Sequence, residues 1–567
     1  MRNLVYGTAF ASALFFLAGC GSGYRTTTAQ TTSSSPTGGA GTTTPTPTPT
    51  PAPTPTPTPA PVPTPAPVDT TALTVTAAAR LLDQSSFGPT MSSISHVKGM
   101  TAHGYLGEQF SMSPTLLKLI PDAMFPSDGC WASEWWQNSV TAPDQLRQRI
   151  AFALGELLVT ASGGIGGNSM VPYYNLLISD AFVNWRTIMQ DVATSPVMGN
   201  YLNLVNSGKA PNGQIANENF ARENLQLFTL GQYLLNEDGT QKKDASGKAI
   251  PTYTELQVEA FARAYTGWTY APADGSSPSW FNYTWNMHLP MVPVDSQHDT
   301  SSKILLQGTV LPSGQSARQD MNAALDNIFA HPNLAPFISR QLIQHLVTGD
   351  PSPAYVGRVA AVFENNGAGV RGDMLAVITA ILVDTEARQG DTDPSAQGGH
   401  LRQPMLYFAD VVRALEYVPN DVTNPCGGYE MLTWQVAGLG EFPMDPSSVF
   451  GFYPPSYVIP RTTLNAPEFG LENTASVGAR LWLADMVATN QVWQFSTDLS
   501  STSKWGKLAA QPGDLVDALG LLFMHGQMPT QMRTAIVSAI STLPYMDQRV
   551  HVAVYLVISS SYYKIMH

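Results

Sequence analysis

The sequence predicts a mainly α fold: a large multi-helix globular domain with long irregular loops and few strands, built either as one globule or as two packed lobes. Three observations predict it. Apolar residues recur at i, i+3, i+4 and i+7 through most of the chain after residue 71. Period-two alternation is scarce, although Val550–Val557 reads as strand or helix. No repeat at a period of about 20–50 residues is present, which argues against a solenoid or propeller. Charged residues are only 13% of the chain and aromatics 10%, which suits a well-packed globule of about 500 residues, large enough for an extensive core.

The helices follow in order. Thr76–Gln84 places Ala79, Leu81 and Leu82 among helix formers. Thr141-Ala142-Pro143-Asp144 reads as a helix start with a hydroxyl cap, early proline and early acid. It leads into Leu146, Ile150, Ala153, Leu154 and Leu157 on one face. Further helices are expected at 172–194, 217–230, 254–267, 319–330, 333–347, 354–364, 371–385, 401–417, 475–488, 513–525, 529–541 and 547–561. Gly267 is expected to end its helix as a left-handed cap.

Residues 1–19 read as a signal peptide: Arg2 supplies the positive start, and Leu4–Leu17 is an apolar run too short for a comfortable transmembrane span of ~20 residues. It ends in Leu17-Ala18-Gly19-Cys20, which resembles the bacterial lipobox at every position and implies lipid on Cys20. An ordinary signal peptide with a chance cysteine is the alternative. Several acyl chains, at ~0.8 kcal/mol per buried methylene, give firm attachment. Gly21 and Ser22 in place of an acidic residue imply the outer membrane. Residues 20–70 are Thr-, Ser-, Gly- and Pro-rich and cannot bury enough surface to offset their ordering entropy. The Thr-Pro and Ala-Pro alternation from Thr44 to Pro67 favours polyproline II and can span roughly 70 Å as a spacer; recruitment of a partner by its PxxP-like tracts is the other reading. Residues 71–567 form the tethered helical domain.

The net charge of -13 and the absence of a basic stripe argue against nucleic acid as partner. Of three cysteines, Cys130 and Cys426 remain after lipidation, and in an oxidising compartment they are either a disulfide or two separate thiols. No P-loop, GxSxG, HExxH, CxxCH or paired CxxC is present. The familiar nucleotide hydrolases, serine hydrolases and zincins therefore recede. No cofactor declares itself.

Two clusters remain as candidate sites. Asn217-Glu218-Asn219-Phe220-Ala221-Arg222-Glu223-Asn224 is the densest polar stretch on an otherwise apolar helix. Glu218 and Arg222 lie at i, i+4, as do Asn219 and Glu223. Buried charges need partners, so this network either clamps neighbouring loops or turns its carboxylates to a cleft. The second cluster runs from Tyr265 and Trp268 through Tyr270, Trp280, Phe281, Tyr283 and Trp285 to His298-Asp299. Exposed aromatics suit stacking on sugar rings, and a His-Asp pair can position a proton or cation. The other reading is a long loop packing itself down with its aromatics.

These stretches, with Leu227-Phe228-Thr229-Leu230-Gly231 and Ala262-Arg263-Ala264-Tyr265-Thr266-Gly267-Trp268, resemble the signature of a bacterial family, domain of unknown function 1800. The resemblance extends to Ala79–Leu82 with Phe87–Thr90, Leu146-Arg147-Gln148-Arg149, Ser195–Met198 with Tyr201-Leu202, His298-Asp299, His331-Pro332, Leu342, His345-Leu346-Val347, Gln403-Pro404 and Gly438–Gly440 to Tyr453-Pro454-Pro455. Many members carry a Trp-His-Asn-His-Phe-like segment where this chain has Phe152-Ala153-Leu154-Gly155-Glu156-Leu157-Leu158, so any role of those histidines is in doubt here. The resemblance implies an exported helical protein, often with a sulfatase-like or phosphatase-like companion, and transfers no reaction.

Three functions compete. The first is an enzyme on an envelope or extracellular polymer such as a polysaccharide. In it Glu218 or Glu223 is the acid-base group, Arg222 orients it, and Asn219, Tyr265, Trp268, Trp280 and Trp285 contact substrate. The second is a non-catalytic surface module binding a glycan or a partner exported protein. The third is a metal-dependent protein using His298, Asp299 and a further carboxylate.

Overall fold

The computed structural model describes residues 71–119, 130–163, 165–210, 216–280, 285–395, 398–421, 423 and 428–567. The expected signal segment 1–19, the stalk 20–70, Cys20 and Cys426 lie outside the described residues, as do Phe281 and Tyr283. Helix dominates, with 23 α-helices among the described residues. Among the described residues, strands are confined to four two-residue pairs: Trp268–Thr269 with Val292–Pro293, Lys303–Ile304 with Val310–Leu311, His400–Leu401 with Ile565–Met566, and Val418–Pro419 with Phe495–Ser496. No helix among these residues is long and apolar enough to cross a membrane.

Helix starts follow their capping chemistry. Thr74, Thr90, Thr254 and Ser316 each offer a hydroxyl oxygen to a backbone N–H of the first turn, and the last three complete capping boxes with Ser93, Gln257 and Gln319. Proline opens the helices Pro353–Glu364, Pro404–Ala414 and Pro512–Met524. Residues 401–403 therefore precede the helix expected at 401–417. The helix expected at 172–194 is two, Gly167–Asp180 and Trp185–Thr194, because the Asn184 side chain accepts the Arg186 N–H at 3.0 Å and starts a new helix. Thr141 does not cap Gln145–Leu157. It ends the preceding helix, Cys130–Thr141, and its hydroxyl donates back to Gln137 O. Val550–Val557 lies within the helix Met546–Ile558. Gly267 has φ +93° but does not cap the helix, which ends at Ala264; its N–H donates to Ser207 O, and a Cβ there would press on His298.

One continuous hydrophobic core runs from Leu73 to Tyr563, so the domain is one body and not two lobes. The aromatic helix Cys130–Thr141 sits deep within it. Trp131, Trp135 and Trp136 are all buried, and Trp135 packs edge-on against both Phe87 and Trp136. Cys130 is buried at the head of this helix and is disulfide-bonded.

Between Gly167–Asp180 and Trp185–Thr194, Asp180 and Asp191 share a hydrogen bond. Partial burial and the neighbouring Asp191 charge push the Asp180 carboxyl up to about 7. A carboxyl raised on folding contributes stability that is full below its unfolded pKa and lost as pH rises through the folded one. Thermal stability should therefore fall between about pH 4 and about pH 7 through this pair, and Asp180→Asn should flatten the fall and raise the melting temperature near pH ~8. Calorimetry of both proteins across that range checks it.

Candidate active site

The first sequence-derived cluster forms a surface clamp. Glu218 precedes the short helix Asn219–Glu223, and its Oε2 accepts from Arg222 Nη2 at 2.7 Å. Arg222 also pairs with the exposed Glu255 at the head of Glu255–Ala264, so it ties two helices together. Asn219 Nδ2 donates to Asn203 Oδ1 at 3.1 Å. Glu223 is half-buried with its carboxyl raised by desolvation, and its Oε2 has no partner among the described residues.

The second cluster is a sealed lock. His298 is 1% exposed, with Nδ1 2.9 Å from Thr266 O and Nε2 3.0 Å from Asp320 Oδ2. Lys303 Nζ reaches the same Asp320 carboxylate at 2.7 Å. Asp299 is partly exposed; although desolvation opposes it, hydrogen bonds from Ser301 and the Lys303 charge lower its carboxyl. Trp268 and Tyr265 are buried, at 0% and 2% exposure, so neither ring can stack on a ligand. Tyr265 packs against Phe220 and accepts from Asn224 Nδ2 at 2.9 Å, and the Arg318 guanidinium lies 5.4 Å from the Trp268 ring. Trp280 is half-buried and Trp285 exposed. Tyr265, Trp268 and His298, expected at a substrate or proton-transfer site, are thus placed by the fold in the buried core and lock. No group of three or more His, Cys, Asp or Glu among the described residues is arranged to hold a metal ion.

The chemistry gathers elsewhere, around an open cavity of about 390 Å³. The helix Gln145–Leu157 brings Glu156, and Leu334–Leu346 brings Phe337, Gln341, Gln344 and His345. The loop after Val449 adds Tyr453 and Pro454, and the turn Pro467–Leu471 adds Glu468. The clamp helix runs into a π turn, Asn224–Thr229, where Leu230 N–H bonds Leu225 O at 3.1 Å; its Gln226 and Leu227 reach the wall. Such wide turns are frequent at functional sites. Gly231 follows at φ +76°, where a Cβ would strike Phe337.

Burial sets the electrostatics. Glu156 is half-buried against the cavity, with Trp135, Phe152, Tyr173 and Tyr174 behind it. This desolvation, reinforced by the charge of Glu441, pushes its carboxyl well above the usual carboxylate range. Glu441 is buried, accepts the Met405 N–H at 2.8 Å, and is pushed up to about 8 by burial. Glu468, 1% exposed, has its Oε1 2.8 Å from His400 Nδ1, while its Oε2 has no partner among the described residues. His345 is pushed down to about 3 by burial and by Arg149 and His400, so it stays neutral. Arg149 donates to His345 O from beneath. Tyr453 O–H donates to Gln403 Oε1. A site with carboxyls held protonated beside a His-linked carboxyl can give and take protons near neutral pH.

The model of a protein family of unknown function, DUF1800, matches residues 80–565. The chain belongs to the DUF1800 family. No curated protein and no solved structure matches it. Several of the segments that carry the resemblance to DUF1800, scattered from Arg149 through Leu227–Gly231, His345 and Gln403 to Tyr453-Pro454-Pro455, come together around this one cavity, whereas Glu218 with Arg222, Trp268 and His298-Asp299 belong to the clamp and the lock. The segment where this DUF1800 chain lacks the Trp-His-Asn-His-Phe pattern supplies Glu156. Sequence reasoning passed over Glu156, Glu441, Glu468, His345 and His400 as site residues. For Glu156 a signal existed: a single acid in the apolar run Phe152–Leu158. Glu441 and Glu468 lie in irregular loops, where a lone acid carries no signal.

Proposed function

We propose that this protein is an exported, lipid-anchored enzyme that uses this cavity for acid-base cleavage of an envelope or extracellular polymer such as a polysaccharide. One observation carries the reading: Glu156, a carboxyl whose surroundings keep it protonated, and Glu468, a carboxyl linked to His400, line the same open cavity. Glu156 is the general acid toward a leaving oxygen. Glu468, steadied by His400, acts on the opposite side as base or nucleophile. Tyr233 and Phe450, exposed at 39% and 48% on the cavity wall, offer faces on which a sugar ring can stack. The Cys20 lipobox and the proline-rich stalk support a location on the envelope, at the outer membrane, with the domain held clear of the lipid.

The test is turnover of a panel of dye-labelled polysaccharides and envelope polymer by the wild type, Glu468→Gln and Glu218→Gln. Glu468→Gln should abolish release of soluble product, whereas Glu218→Gln, in the surface clamp, should keep it. Undiminished release by a folded Glu468→Gln protein overturns the assignment. Palmitate-analogue labelling lost in Cys20→Ser tests the anchor.

A second reading, a non-catalytic module for a glycan or an exported partner such as a sulfatase-like companion, draws on the exposed Trp434, Trp482 and Trp493. It expects Trp482→Ala to weaken capture of that partner, and Glu156→Gln to change nothing.

A further inference from the structure

The wall of the cavity identifies a class of ligand. Five of its lining residues are glutamines, Gln226, Gln232, Gln241, Gln341 and Gln344, and no Lys, Arg or Asp is among the described residues that line it. Two of its polar atoms lack hydrogen-bond partners among the described residues although their residues are buried. These are Gln341 Nε2, on a residue 8% exposed, and Glu468 Oε2, on a residue 1% exposed. The first is a donor and the second an acceptor.

We infer that the cavity takes a neutral, polyhydroxylated sugar unit, and not a uronate, sulfated or phosphorylated one. A hydroxyl both donates and accepts, so sugar hydroxyls can answer a donor such as the Gln341 amide or an acceptor such as the Glu468 carboxyl once either side chain turns its covered atom toward the ligand. A sulfate, phosphate or carboxylate only accepts. It would leave Glu468 Oε2 facing like charge, and Arg149, the cation beneath the wall that already answers Glu156 and Glu468, does not line the cavity. Side-chain amides suit the neutral case, because a free amide presents a donor and an acceptor in one plane to adjacent hydroxyls; Gln344 is the exception, its Nε2 already donating to Gly349 O and Asn465 Oδ1. The apolar part of the wall, Leu227, Leu230, Phe337 and Pro454 among it, faces the C–H surface of a sugar ring without requiring charge.

This inference rests on the catalytic reading only for the choice of cavity, and binding alone tests it. The full chain carrying Glu156→Gln is titrated by calorimetry with neutral oligosaccharides (β-glucan, xylan and mannan fragments) and with anionic ones (oligogalacturonate and sulfated galactan fragments). At least one neutral fragment should bind and the anionic ones should not. Gln341→Leu should weaken the neutral ligand about tenfold or more with an unchanged melting temperature, since it removes the donor without charge. Binding of anionic fragments more tightly than neutral ones overturns the inference, as does neutral binding indifferent to Gln341→Leu, or no binding by either class. Neutral binding by a wild type that turns nothing over supports the inference and removes the catalytic reading. Turnover of an anionic polymer does the reverse.

Discussion

Replacing Glu156 by glutamine is expected to lower turnover about 10²–10⁴-fold, the usual worth of a positioned general acid, while leaving the fold intact. Glutamine is nearly isosteric and neutral, and desolvation already keeps the Glu156 carboxyl neutral well above the normal range. The substitution therefore removes a transferable proton and little else. The pH dependence gives the sign. A general acid works while protonated, so wild-type turnover should hold at low and neutral pH and fall as pH rises through the raised pKa of Glu156. Glu441, pushed up to about 8, should move that fall to higher pH, because its ionisation adds negative charge beside Glu156 and favours the protonated acid. In Glu156→Gln the residual rate should lose most of that alkaline limb. Matching pH–rate profiles of the two proteins, with melting temperatures alongside, decide the point; an alkaline limb unchanged in the variant would assign it to another group.

The parts of this fold legible in the sequence are those where one face is buried and the other wet. The stripe Leu146, Ile150, Ala153, Leu154 and Leu157 and the well-marked starts near Ser316, Pro353 and Pro512 read directly, because amphipathic periodicity and capping are local signals. The helix Cys130–Thr141 was illegible for the opposite reason: it is buried nearly all round, so its tryptophans make no stripe. Composition also misdirected the site. Charged pairs at helical spacing, Glu218 with Arg222, mark a surface clamp, and aromatics in a long loop, Trp268 above all, turn inward. The groups that gather at the cavity are isolated in sequence and meet only in the fold. His400 and Glu468 are 68 residues apart, and no spacing rule links them. What the sequence did carry was the set of family motifs, and the convergence of several of them on one cavity is information that only the fold supplies.

Replacing Asp83 by alanine is expected to cost about 3–5 kcal/mol of stability, the penalty for stranding a buried charge. Asp83 is 2% exposed on the helix Val75–Ser85 and receives both terminal nitrogens of Arg402, at 2.6 and 2.8 Å. His525 Nε2 lies 2.9 Å from the same carboxylate. Although burial opposes it, the Arg402 charge and the hydrogen bond to His525 hold the Asp83 carboxyl well below the usual range. Its contribution should thus be full above the unfolded carboxyl pKa of about 4 and be lost progressively as pH falls from there through that lowered value. Arg402 is 1% exposed and, with Asp83 gone, would keep as charged partner only the carboxyl of Asp410 at 3.4 Å, whose own ionisation burial resists, beside its bond to Tyr563 O. The clasp also bears on function. Arg402 stands between His400, which holds Glu468, and Gln403, which accepts from Tyr453, so loosening it frees two walls of the cavity at once. Denaturation midpoints should therefore fall most in Asp83→Ala and less in Asp83→Asn, which keeps hydrogen bonds to Arg402. The pair Asp83→Leu with Arg402→Met should recover much of the loss, because the Arg402 charge goes with its partner and the buried Asp410, whose ionisation burial already resists, can stay protonated. Recovery of stability without recovery of ligand binding in that pair would separate the two roles of the clasp, since apolar side chains can fill the space but cannot hold Gln403 and His400 in register with Tyr453 and Glu468.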